Sequence, residues 1–127
     1  MVRRRSADRR RVDRVRNPPP VRPGQVWFVD FDPVRGREQG KDRPALVVSS
    51  AFHLDLTARR LVSVLPLTSV ERVGWAHRVR AGTHGWVITE QVRTVSADRF
   101  RRYAPEITLS PEQLAEVRHV LAQMLIV

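Results

Sequence analysis

The chain has no cysteine, which excludes disulfides, thiolate chemistry, iron–sulfur clusters and cysteine-ligated zinc. No apolar run approaches the ~20 residues that a membrane-crossing helix needs. The arginine-rich start also lacks the apolar core and small-residue cleavage site of a secretory signal. The chain is therefore expected to be cytoplasmic. Lysine is nearly absent, because of 23 basic residues only Lys41 is a lysine. The four histidines (His53, His77, His84 and His119) are scattered, and none has the spacing that would join a carboxylate around a metal. There is no Gly-x-Ser-x-Gly elbow, and no hydrolase triad suggests itself. Metal-dependent and serine-type hydrolysis rank low on those grounds, and neither a metal nor a cofactor is expected.

Positive charge is what the chain has in excess. The formal net charge is +10 over 127 residues, which points to a polyanionic partner, most often nucleic acid. The excess is uneven: residues 1–16 carry eight arginines and two aspartates, a net +6, and leave +4 for the other 111 residues. Residues 1–20 have almost no apolar content and end in Asn17-Pro18-Pro19-Pro20. Such a segment buries too little surface to offset its ordering entropy, so it is expected to be a basic, disordered tail with at most a non-specific RNA contact. Residues 21–127 form the expected folded domain, long enough to bury a core without disulfides or a structural metal.

Within that domain, Gly24 to Phe31 alternates and is rich in Val, Phe and Trp, a strand pattern closed by Asp32-Pro33. The short apolar runs Pro44 to Ser50 and Leu61 to Leu67 fit buried strands. Residues 77–81 and 85–89 fit a hairpin around Gly82-Thr83-His84-Gly85, and Gln91 to Val95 continues as strand. Near the C-terminus Ser110 is a good N-cap, Pro111 suits the first helical position and Gln113 completes a capping box. Leu114, Val117, Leu121, Met124 and Leu125 then recur at spacings of three and four and give one apolar face, with His119 on the surface. The pattern predicts an α+β domain with a mostly antiparallel, barrel-like sheet and a C-terminal helix.

The polar loop Gly36–Arg43 is the most unusual segment, with Arg37, Lys41 and Arg43 beside Glu38 and Gln39. It is not a P-loop, which needs four residues between its glycines and a Ser or Thr after the lysine, where this chain has three and Asp42. Arg43 directly precedes Pro44, which biases it toward extended backbone. At the lip of an apolar strand it can present its planar fork to a phosphate, or it can pair with Asp42 as a surface arginine. Thr68-Ser69 ends the run Leu61–Leu67. A hydroxyl there can bond a phosphate or a ribose, or simply cap the following turn.

Together these segments resemble the MazF/PemK family of toxin endoribonucleases. The resemblance starts at Arg22-Pro23-Gly24-Gln25-Val26-Trp27 and Asp30-Phe31-Asp32-Pro33. It continues through Gly36-Arg37-Glu38-Gln39-Gly40-Lys41-Asp42-Arg43-Pro44, Leu65-Pro66-Leu67-Thr68-Ser69 and Glu90-Gln91-Val92-Arg93-Thr94-Val95. It implies a small SH3-like antiparallel barrel with a C-terminal helix, a homodimer, and metal-free cleavage of single-stranded RNA. It also implies a small acidic antitoxin as partner, with any operator DNA reached only through that complex, and no membrane. By the same resemblance Arg43 and Thr68 match the catalytic positions. Arg37, Glu38, Gln39, Lys41, Ser69, Gln91 and Arg93 would lie along the RNA.

The implied nucleophile is the ribose 2′-OH, leaving a 2′,3′-cyclic phosphate and a 5′-OH. A guanidinium such as Arg43 stabilises the charge that develops on the phosphoryl oxygens. Arginine is a poor general base, since its pKa exceeds ~12. Glu38, a neutral His77 or the substrate itself remain open for that role. Lys41, Asp42 and Arg37 make the loop more charged than is usual in the family, and Ser96 stands where Asp is common. The preferred RNA sequence, and the choice among mRNA, tRNA and rRNA, stay open. A different reading is a non-enzymatic toxin like the CcdB relatives of this fold, which poison DNA gyrase. The Arg43 loop argues against it, since such a toxin has no need of a phosphate clamp. A third reading is a nucleic-acid binder acting through the basic tail alone.

Overall fold

A computed structural model of the chain describes residues 19–31, 42–70, 78–83 and 85–125. The strands are β1 (Val26–Val29), β2 (Arg43–Val47), β3 (Leu61–Thr68), β4 (Arg78–Ala81), β5 (Gly85–Ile88), β6 (Arg93–Ser96) and β7 (Phe100–Tyr103). Helix α1 (Ala51–Leu56) lies between β2 and β3, and α2 (Pro111–Leu125) ends the described chain. Every strand pairing is antiparallel, in the order β4-β5-β3-β2-β1-β7, with β6 also on β3. The expected α+β class, with an antiparallel, barrel-like sheet and a C-terminal helix, is the one observed.

β3 is the centre of this arrangement. It pairs with β2 on one side, and on the other with β6 through Leu61–Val64 and with β5 through Leu67 and Thr68. Side chains alternate across a strand, and here both faces are buried. Val26, Leu46, Leu65, Leu67, Val79 and Val87 form one core, against which Leu114, Val120 and Leu121 of α2 pack. Trp27, Val29, Ala45, Val47, Val62, Val64 and Val95 form a second core on the opposite face, closed by Leu54 of α1. The mostly apolar run in β3 is thus explained: from Val64 to Leu67 both sets of alternate positions are buried, and only its ends, Leu61, Ser63 and Thr68, reach water. Burying a side chain of this kind contributes ~1.5–3 kcal/mol.

Several boundaries differ from those expected. β1 starts only at Val26, because residues 22–25 turn, with the Gln25 N–H donating to the Arg22 carbonyl at 3.3 Å and Gly24 at φ +84°. β2 ends at Val47 because Ser50 caps α1, its hydroxyl accepting from the His53 N–H at 3.1 Å. A six-residue helix shows less than two turns of periodicity, too little to stand out in sequence. The expected strand Gln91–Val95 divides into a 3-10 turn at Thr89–Gln91 and then β6. β7 has no strand pattern in sequence, since Phe-Arg-Arg-Tyr does not alternate. A β-bulge between Phe28 and Val29 shifts its register, so that Phe100 and Tyr103 both pack on Trp27, at 5.6 and 5.5 Å between ring centroids.

The capping box of α2 forms as its residues suggest. The Gln113 N–H donates to Ser110 Oγ at 3.1 Å, and the Ser110 N–H donates to Gln113 Oε1 at 2.9 Å. The apolar face is shorter than expected. Leu114, Val117 and Leu121 pack, but Met124 and Leu125 lie beyond the sheet, 41% and 55% exposed.

Candidate functional site

Antiparallel pairing brings three strand ends together. The start of β2 adjoins the end of β3, and β6, running against β3, starts toward that same end. Arg43 is the first residue of β2, exposed, and paired with Val29 of β1. Thr68 is the last residue of β3 and half-buried. The β2–β3 register runs Ala45 opposite Pro66 and Leu46 opposite Leu65. Continued two residues outward, it sets Arg43 opposite Thr68, and directly opposed residues share a face. Both line one open cleft of about 400 Å³, together with Pro44, Leu67, Ser69, Gly85 and Ile107.

The local chemistry fixes each group. Pro44 holds Arg43 in extended backbone, and no hydrogen bond or ion pair ties the Arg43 guanidinium to another described residue, Asp42 included. Thr68 Oγ1 accepts from the Val70 N–H at 3.1 Å. The turn-capping role weighed from sequence is therefore present, yet it occupies only a lone pair and leaves the hydroxyl proton to donate outward. Gly85 lets β5 approach β3 closely at the cleft, because a Cβ there would stand 3.2 Å from the Thr68 carbonyl oxygen and the backbone would have to give by a few tenths of an ångström.

Of the other residues nominated from sequence, Ser69 is exposed on the cleft wall. Gln91, exposed at the end of the 3-10 turn, and Arg93, the first residue of β6, lie toward the same end of the sheet but do not line the cleft. The Arg93 guanidinium sits 4.9 Å over the Phe31 ring, a cation–π contact that fixes it beside the second core. Arg37, Glu38, Gln39, Lys41 and His77 lie outside the described residues. No group of three His, Asp or Glu side chains converges among the described residues in a way that could hold a metal. Two wall residues carry no functional signal in sequence: Gly85 stands where the expected turn meets the strand 85–89, and Ile107 lies in no patterned segment. A second cavity, about 380 Å³, lies between α2 and the β2–α1 connection and contains none of the nominated residues.

The architecture is that of a small α+β protein whose antiparallel sheet presents an arginine and a hydroxyl at the rim of one cleft. The family model described as PemK-like, MazF-like toxin of type II toxin-antitoxin system matches residues 22–125, and the chain belongs to that family. Endoribonuclease MazF9 of Mycobacterium tuberculosis is 34% identical over 112 residues, covering 80% of this chain and 92% of that protein. The endoribonuclease toxin MazF of Escherichia coli is 31% identical over 97 residues, covering 75% and 85%. Among solved structures, a MazE–MazF crystal form from Deinococcus radiodurans superposes with a TM-score of 0.67 at 27% identity, covering 84% of this chain and 97% of that one.

Proposed function

We propose that this chain acts as its relatives are named, as an endoribonuclease toxin, and that Arg43 and Thr68 hold the scissile phosphate of single-stranded RNA. One observation carries the site: a guanidinium without a partner among the described residues and a pre-oriented hydroxyl share one cleft across the β2–β3 pair. The Arg43 fork is matched to two phosphoryl oxygens and stabilises the charge they gain as the 2′-oxygen attacks. The Thr68 proton completes the cradle by donating to one of them. The P–O5′ bond breaks and the departing oxygen takes a proton from water, giving a 2′,3′-cyclic phosphate and a 5′-OH. Among the described residues the cleft wall holds no carboxylate or imidazole; Glu38, His77 or the substrate takes the proton from the 2′-OH.

An acidic antitoxin fits the same surface, since its carboxylates would meet the arginines that meet phosphate. The relatives from Deinococcus radiodurans include MazE–MazF complexes. A homodimer and a cytoplasmic location belong to the same reading.

The test is cleavage of single-stranded RNA by the purified chain in EDTA, with the new ends typed chemically. Arg43→Ala is expected to lower the rate roughly 10²- to 10³-fold, the usual effect of removing one donor to a developing oxyanion. Thr68→Val should also lose activity while Thr68→Ser keeps it, with both variants folded. Cleavage that survives both Arg43→Ala and Thr68→Val overturns the site.

A further inference from the structure

The row that sets Arg43 beside Thr68 continues across the sheet. Thr68 is opposite Trp86 on β5, and Trp86 is opposite Arg80 on β4. Opposed residues share a face, so Arg43, Thr68, Trp86 and Arg80 stand side by side on four adjacent strands at a spacing of ~4.8 Å. The alternate positions of the hairpin, Val79, Ala81 and Val87, enter the first core. None of the four row residues is buried: Arg43 and Arg80 are exposed, and Thr68 and Trp86 are half-buried.

The far end of the row is held in place. The Arg80 guanidinium lies 5.0 Å over the Trp86 ring, and its Nη2 donates to the Thr83 carbonyl at 3.0 Å. Two residues earlier and on the same face, Arg78 donates from Nη1 to the Val70 carbonyl at 3.0 Å. That ties β4 to the turn whose Val70 N–H orients the Thr68 hydroxyl. An indole braced by a cation, one strand spacing from a phosphate-facing hydroxyl, has the composition of a single-stranded RNA platform: a π-face for a base and positive charge for the backbone.

The geometry points to Trp86 as a stacking residue for the base that flanks the scissile phosphate, with Arg80 bracing the ring and neutralising the neighbouring phosphate. This rests on the RNA-cleaving reading and deepens it, because it adds a subsite outside the cleft. A π-face accepts every base, so the platform positions the strand while leaving much of the sequence choice to other contacts. The competing role for the pair is structural, a brace across the β4–β5 hairpin.

The two roles separate in a binding titration. The probe is a single-stranded RNA oligonucleotide with 2′-O-methyl groups, which blocks attack and lets the wild-type protein be used. Trp86→Leu is expected to weaken binding roughly 5- to 150-fold, the range for losing one base–aromatic stack. Trp86→Phe should restore most of it, because the ring is kept. With cleavable RNA, Trp86→Leu should raise KM with kcat little changed, the signature of lost ground-state binding. Arg80→Gln leaves the indole in place and should reduce the slope of log K against log salt by about one. It decides the matter if Trp86→Leu fails to fold.

Binding by Trp86→Leu within twofold of wild type, with or without a lower Tm, assigns the pair to bracing and overturns the proposal. So does an unchanged salt slope and affinity in Arg80→Gln. If the wild type cleaves no RNA, the endoribonuclease reading fails separately. The titration then still decides this subsite, since wild-type binding that Trp86→Leu weakens supports it and an absence of binding overturns it.

Discussion

Gln113 does more than close a capping box, and a single substitution can separate its two roles. Its Oε1 accepts from the Ser110 N–H at 2.9 Å and from the Gly82 N–H at 3.1 Å, while its Nε2 donates to the Gly82 carbonyl at 3.2 Å. One side chain thus caps α2 and clamps the β4–β5 turn, where Gly82 takes φ +62° and a Cβ would stand 3.1 Å from the Thr108 carbonyl oxygen. Gln113→Ala removes three hydrogen bonds at a half-buried position. At about 1 kcal/mol net for each, and with Gly82 partly able to bond water, the expected loss is about 2–3 kcal/mol. Gln113→Glu is the discriminating variant. Glu is a favoured capping-box residue and its charge suits a helix N-terminus, worth about 0.3–1 kcal/mol. On capping alone it would equal or exceed wild type. The clamp predicts the opposite, because a carboxylate oxygen replaces the amide donor that faces the Gly82 carbonyl. Urea unfolding at neutral pH should rank wild type first, Gln113→Glu about 1–2 kcal/mol below it and Gln113→Ala lowest, with m unchanged. A Gln113→Glu protein as stable as wild type refutes the clamp and leaves Gln113 as a cap only.

Three further outcomes follow from the same geometry. Arg43→Lys keeps the charge but loses the planar fork, so its RNA cleavage rate should fall between wild type and Arg43→Ala, and a wild-type rate would show that only charge matters there. Leu65→Ala, at a fully buried position in the first core, should cost about 2–5 kcal/mol in denaturant unfolding; a loss below about 1 kcal/mol would mean the site collapses around the gap. The hydrogen bond from Arg102 holds the Glu106 carboxyl below its ordinary value, with Nη2 to Oε2 at 2.9 Å. A lowered pKa gives stability that is present above the unfolded value, about 4.3, and is lost as pH falls through the folded one. The Tm difference between wild type and Glu106→Gln should therefore vanish in acid, and it should be small at neutral pH because the pair is exposed; a difference that grows as pH falls contradicts the sign.

The legible parts of the fold were those with local chemistry. The Ser110-Pro111-Glu112-Gln113 start of α2 fixes its own hydrogen bonds within four residues, and the Leu61–Leu67 run announces a strand without help from its neighbours. Helix α1 was hidden by its brevity. β7 was hidden because its three-residue spacing from Phe100 to Tyr103 becomes one face only through the bulge at its own Arg101, which the pairing with β1 skips. At the site, Arg43 and Thr68 could be nominated through their motifs, whereas the Gly85 contact with the Thr68 carbonyl depends on how closely β5 approaches β3. Closeness between strands is a property of the pairing, and no single segment encodes it.

Strand register also changes what the +10 charge means. Net charge sets a field that draws any polyanion and is screened beyond about 8–10 Å at physiological salt. Productive contact with a phosphate needs donors within hydrogen-bond reach, and these depend on register. Arg43, Thr68, Trp86 and Arg80 come from four strands, yet the pairings align them at one strand spacing. A slip of one residue in any of these pairings would turn that strand's contribution to the opposite face, leaving the net charge at +10 and dispersing the row. The residues that enforce register are therefore as much a part of the proposed RNA surface as the arginines. They are the alternating apolar positions of β2, β3 and β5, where Leu46, Leu65, Leu67 and Val87 bury one face.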